Sequence, residues 1–251
     1  MKSLWEESWW RSIHVDERDL WRGVEAQHVA ATMRLVDDLE EQALLEQILE
    51  NSKPPTPPAP KRQHYLLWTP FRYRSPMASR FRRAGEAGVW YGAEDLATGC
   101  TELAHWRWRF LTDSDGLVDS EILFELTFFQ ARVSGPVLDL CAPPWIARLS
   151  AWRHPDDYGA CQRLAQACRE RGDVSWIRYT SARQPDGVCA AVLEPACLRM
   201  KSTRSQQTWS CKVRRSVVLM AHDGDRLSVR FDIGAAGRSS TPDHSSPAHQ
   251  P

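Results

Sequence analysis

The residues best suited to chemistry in this 251-residue chain fall into one ordered set. The loop SRFRRAGEAGVWYG carries Arg80, Arg82 and Arg83 and runs into an aromatic segment holding Tyr91. Glu102 follows eleven residues after Tyr91, and Ser181 opens the turn SARQPDG much further on. Arginines present a planar donor fork that suits phosphate or pyrophosphate. An aromatic ring can stack on a base or a nicotinamide ring. A carboxylate held beside them can stabilise an oxocarbenium-like centre or bond a ribose hydroxyl. A serine at a strand end can fix an amide or a phosphate. Together the groups suit a phosphate-bearing nucleoside whose glycosidic bond is broken. Each also has a plainer reading: arginine clusters are mostly solvated surface, Glu102 fits the wet face of a helix, and Ser181 fits an ordinary turn.

Composition narrows the field. Lys+Arg and Asp+Glu both number 32, so the formal net charge is zero and a chain coated in one sign of charge is excluded. Nucleic-acid binding through the basic stretch 61–83 is therefore the weaker reading. No run of about 18 apolar residues is present, and the N-terminus lacks the apolar core of a signal peptide, which points to a cytoplasmic protein. The seven cysteines form no CxxC pair, so neither a disulfide framework nor a structural zinc site is expected. The chain has no GxGxxG, Walker A, HExxH or GxSxG motif. His105, alone between aromatic neighbours, reads as a packing residue. The unusual count is 12 tryptophans.

The elements that must position the set are mixed. Residues 1–52 hold 12 acidic and 5 basic residues, and Val29, Met33, Val36, Leu39 and Ala43 share one helical face. A helical N-terminal segment over 1–52 is expected, packed on the body near the cleft, with a stiff proline linker over 53–60. Strands are expected at 65–73, 88–92, 120–133, 137–140, 176–180 and 188–193. Residues 213–220 and 227–231 flank AHDGD as a hairpin. Helices are expected at about 95–110, capped by Asp95, and at 156–171. The body spans 61–233 and a disordered tail 234–251. Without a regular βαβ rhythm the fold class is α+β.

The ordered set SRF, VWYG, Glu102, YTSAR and AAVLEP resembles the RES domain, a family named for an arginine, a glutamate and a serine that its members share. Here Arg80-Phe81 resembles the family's Arg-aromatic pair, Tyr91 its strand tyrosine, Glu102 its helix glutamate and Ser181 its serine. Arg72, in FRYR, resembles the arginine of the family's first strand. The resemblance implies a mixed, split β-core with surrounding helices, similar to ADP-ribosyltransferase toxins. It implies the toxin of a type II toxin–antitoxin module that degrades NAD+ by phosphorolysis or hydrolysis, with NAD+ as substrate, inorganic phosphate as co-substrate and no prosthetic group or metal. The implied partner is an Xre-type antitoxin. Arg80, assisted by Arg72 or Arg82, would hold the pyrophosphate or the attacking phosphate, with the choice among Arg80, Arg82 and Arg83 open. Tyr91 would line the nicotinamide ribose pocket, Glu102 would support charge at the anomeric carbon, and Ser181 would orient the carboxamide or a phosphate oxygen. A protein ADP-ribosyltransferase in the same cleft, or a non-enzymatic module with a decayed cleft, are the alternatives.

Overall fold

The computed structural model describes residues 4–26, 32, 35–54, 63–201 and 206–231, and the backbone of 242–243. The longest element explains the rest. Strand β3 (Ile122–Asp139) pairs antiparallel along its whole middle with β1 (His14–Glu25), from His14 opposite Val137 to Glu25 opposite Leu126. Its C-terminal end lies parallel to β4 (Trp176–Thr180), which pairs antiparallel with β5 (Val188–Val192). β5 pairs with β2 (Trp90–Ala93), and β2 touches β1 again at Trp21 opposite Ala93. The pairings β1–β2–β5–β4–β3–β1 therefore close on themselves. Short β6 (Leu198–Met200) also lies on β3. From the N-terminal half of β3 the sheet continues outward through β7 (Gln207–Arg214), β8 (Val217–His222), β9 (Asp225–Arg230) and β10 (Pro242–Asp243). The fold is α+β with one large mixed sheet, the class expected from the sequence.

Helices cover this sheet. α3 (Leu96–Thr112) starts where Asp95 accepts a bond from the Thr98 backbone N–H at 2.7 Å, as its cap position predicts. It buries Cys100 and Ala104, with Leu96 and Leu103 packed alongside, against β7–β9. α5 (Gly159–Arg171) buries Cys161, Leu164, Ala165 and Cys168 and ends on Gly172 with a left-handed φ of 73°. The remaining helices are α1 (Leu39–Ser52), α2 (Tyr65–Arg72) and the single turn α4 (Leu149–Trp152). The hairpin over AHDGD is present, with Asp223 at φ 45° in its turn.

Several expectations need correction. Residues 14–25 form strand β1 and not a helix; its charged residues Glu17 and Asp19 face Arg132 on β3, and Arg18 faces Glu94, so long-range ion pairs replace local helical ones. A helix does occupy 39–52, yet Leu39 is 74 % exposed, so the expected stripe is not buried there; Val29 and Met33 lie outside the described residues. Residues 65–72 are helical, not a strand. His64 accepts a bond from Leu66 N at 3.3 Å, Thr69 donates to Tyr65 O at 2.6 Å, and Leu67 is the buried residue of the turn. The end of that helix meets Gly88, where a Cβ would sit 1.8 Å from Pro70 O, so only glycine allows the approach. The two strands expected at 120–133 and 137–140 are one, bent through Gly135 at φ 149°. The strand expected at 213–220 divides between β7 and β8 at the turn through Arg215 and Ser216. Most of the linker and all of the tail except the β10 backbone lie outside the described residues.

Candidate active site

One cavity of about 530 Å³ opens between β1, β2, α3 and the loop 73–82. That volume suits a small organic ligand. Among the described residues four arginines line it, Arg22, Arg80, Arg82 and Arg183, together with a single carboxylate, Glu102. Aromatic walls come from Trp21, Tyr73, Tyr91, Trp106, Tyr158 and Tyr179. A second cavity of about 330 Å³ shares Arg22 but, among the described residues, is lined by none of Arg80, Tyr91 and Glu102, which all line the larger one.

The groups are held from behind. Arg80 is 7 % exposed and donates from one terminal nitrogen to Trp152 O at 2.9 Å and His154 O at 2.8 Å, with its guanidinium 4.7 Å above the Tyr158 ring. Arg183 is 6 % exposed; it donates to Pro155 O at 2.5 Å and to the Tyr158 hydroxyl at 3.3 Å, with Asp156 only at 4.0 Å. Arg82 donates to Met77 O at 2.9 Å. Arg22 donates to Tyr91 O at 2.8 Å and lies 5.2 Å over the Trp90 ring. Enclosure by protein pushes the Arg22 pKa down to about 10, still well inside the protonated range at neutral pH. The Nε atoms of both Arg22 and Arg82 are buried without a hydrogen-bond partner. A positive cavity wall with spare donors is what an anionic ligand requires.

Glu102 projects from the second turn of α3, and Ser181 reaches it from the end of β4, donating to Glu102 Oε1 at 2.6 Å. The same hydroxyl oxygen accepts from the backbone N–H groups of Arg183 and Gln184, each at 3.0 Å. Ser181 is fully buried and is not among the residues lining the cavity; it stands behind Glu102 and holds the carboxylate through its hydroxyl. The Tyr91 hydroxyl is likewise engaged, 2.8 Å from Ser79 Oγ and accepting from Phe81 N at 3.0 Å, and burial raises its pKa. It ties the arginine loop to β2.

The structure thus brings together Arg80, Arg82, Tyr91, Glu102 and Ser181, but not Arg72 or Arg83. Arg72 sits on α2, a helix, bonded to Pro54 O at 2.5 Å and paired with Glu50 at 3.0 Å. Arg83 turns outward to Gln166 and Glu86. The strand arginine of the cavity is Arg22, which sequence reasoning missed because residues 1–52 were read as helical; LWRGV, an apolar run around one arginine, was the available signal. Arg183, in the same SAR turn as Ser181, was also missed. Among the described residues no cluster of three or more His, Cys, Asp and Glu could hold a metal, and no helix is long and apolar enough to cross a membrane.

This arrangement, an arginine-walled cleft around a serine-held glutamate, defines a class of protein. The model of the RES domain matches residues 57–214, more than half of the chain, and the chain belongs to that family. No curated protein matches. Among solved structures, a chain from "Crystal structure of the M.tuberculosis MbcT-MbcA toxin-antitoxin complex" is similar at 13 % identity and a TM-score of 0.47, over 84 % of this chain and 94 % of that one.

Proposed function

We propose that this RES protein cleaves the bond between nicotinamide and ribose in NAD+, passing the ADP-ribose moiety to inorganic phosphate or to water. The observation that supports this best is the charge of the cavity wall: four arginines against one carboxylate, with the carboxylate fixed by Ser181. NAD+ has the complementary pattern, an anionic pyrophosphate a short distance from a glycosidic carbon that becomes positive as nicotinamide leaves. In this reading Arg22, Arg80, Arg82 and Arg183 hold the pyrophosphate and the attacking phosphate. Glu102 stabilises the oxocarbenium-like carbon, and Tyr91 and Tyr179 wall the ribose. Catalysis is positional and electrostatic. In this reading the protein acts as a cytoplasmic toxin restrained by an Xre-type antitoxin.

The test is to incubate the pure protein with NAD+, with and without phosphate, and weigh the products. We expect nicotinamide in both cases, with ADP-ribose-1-phosphate formed when phosphate is present. Unchanged NAD+ would sink the reading, and label from NAD+ appearing on protein would replace it with ADP-ribosyl transfer.

A further inference from the structure

Five of the twelve tryptophans, Trp5, Trp9, Trp10, Trp145 and Trp152, lie outside the cavity and gather on the backbone that holds Arg80. The segment 152–158 grips three parts of the site at once. Its carbonyls at Trp152 and His154 take Arg80, its Pro155 carbonyl and Tyr158 hydroxyl take Arg183, and Arg153 donates to Ser181 O at 2.9 Å. That segment is held in turn by rings. Trp152 donates from Nε1 to Trp145 O at 2.7 Å, and Trp145 donates from Nε1 to Ser12 Oγ at 2.9 Å.

Residues 4–12 close the arrangement from the chain's other end. Trp5 lies 6.1 Å from Trp10, 6.2 Å from Trp145 and 6.3 Å from Trp152, and Trp9 and Trp10 lie 5.4 and 5.2 Å from Trp145. Arg171 of α5 covers the Trp10 ring at 4.7 Å and pairs with Glu7 at 3.4 Å, pinning the segment from outside. Rings in tilted and edge-on contact resist sliding, because each has one close-packed arrangement.

We propose that residues 4–12 form a tryptophan wedge whose contact with Trp145 and Trp152 sets the position of Arg80. Trp5 is then a positioning residue: it touches no substrate and acts through the Trp152 and His154 carbonyls. The kinetic form of this inference rests on the NAD+ reading above, whereas its structural form does not.

The experiment compares Trp5→Ala and Trp5→Phe with Trp209→Ala. Trp209 is also buried, 4 % exposed, but belongs to the separate core around Phe128 and β7–β9. Misplacing a group by about 1 Å can cost up to about 100-fold, so a rise of roughly tenfold in KM for NAD+ is expected in Trp5→Ala, with kcat within about twofold. Trp5→Phe should recover most of it. Trp209→Ala should lower the melting temperature and leave KM alone. Equal KM in Trp5→Ala and Trp209→Ala would overturn the inference. If Trp5→Ala does not fold, Ser12→Ala, which removes the bond from Trp145 and the hydroxyl's own bond to Trp9 O at 2.8 Å, gives the same comparison. Amide exchange over 152–158 is read in parallel. It should accelerate in Trp5→Ala and not in Trp209→Ala, and unchanged exchange would overturn the wedge. Should the wild type leave NAD+ intact, that reading fails by itself while the exchange result still decides the wedge.

Discussion

The arginines of the cavity and those elsewhere on the molecule face opposite kinds of partner. Arg178 meets both oxygens of Glu94, at 2.6 and 3.0 Å, and Asp139 at 3.2 Å. Arg132 bridges Asp19 at 2.8 Å and Glu17 at 3.2 Å, and Arg171 pairs with Asp173 at 2.7 Å. Arg80, Arg183, Arg82 and Arg22 instead bond chiefly to backbone carbonyls and aromatic rings. A carbonyl fixes a guanidinium without cancelling its charge; a carboxylate does both. The outer set is therefore neutralised within the fold, and the inner set keeps its charge.

Removing the one carboxylate of the inner region should have the largest effect. Glu102→Gln keeps the Ser181 bond geometry and should lower kcat by about 10²–10³ with an unchanged melting temperature. Wild-type turnover in this variant would take Glu102 out of the chemistry. Next come the arginines themselves. Arg80→Ala or Arg22→Ala should weaken NAD+ binding by about 1.5–3 kcal/mol, with Lys at Arg80 a partial rescue because the fork is lost. Arg178→Ala should instead lower stability by about 1–3 kcal/mol, by leaving Asp139 without its arginine and Glu94 with only the longer contact to Arg18 at 3.8 Å, and leave affinity intact. If Arg178→Ala weakens NAD+ binding as Arg80→Ala does, the division between the two regions collapses.

A smaller effect concerns pH. His105, three residues from Glu102 on α3, packs edge-on and tilted against Trp106, Trp108 and Phe231, and burial, reinforced by Arg183, Arg109 and Arg80, holds its pKa down at about 3. The unfolded chain takes up this proton near the ordinary value of 6.5, so the unfolded state binds more protons between the two values. Above 6.5 His105 is neutral in both states and contributes no pH dependence; below it stability falls by at most about 1.4 kcal/mol per unit down to the folded value. Melting curves from pH 7 to 4 should show this, and His105→Phe should flatten it. An equal slope in the variant would assign acid sensitivity elsewhere. The smallest effect belongs to Arg83→Ala: its partners Gln166 and Glu86 lie outside the cavity, so NAD+ affinity should change by less than about 0.5 kcal/mol.

Local signals in the sequence foretold what local physics controls. Asp95 caps α3, Tyr91 and Glu102 sit at the spacing that puts a strand residue and a helix residue on one cavity, and AHDGD turns a hairpin. What was not legible depends on distant partners. β1 is strand because its backbone pairs with β3 from His14 to Glu25, more than a hundred residues away, and nothing in DERDL itself says so. The helix at 65–72 carries aromatic residues that favour strands, and its end is fixed by Gly88 across the loop. Both misreadings hid Arg22 and promoted Arg72, whose helix carries it away from the cavity.

The central claim is that the inner arginines hold an uncompensated positive charge for the NAD+ pyrophosphate beside Glu102. Calorimetric titration of NAD+ into the Glu102→Gln protein, at low and at high salt, tests it without turnover. One site is expected, weakened by salt and weakened again by Arg22→Ala. Absent binding, or binding indifferent to both salt and Arg22, would contradict it.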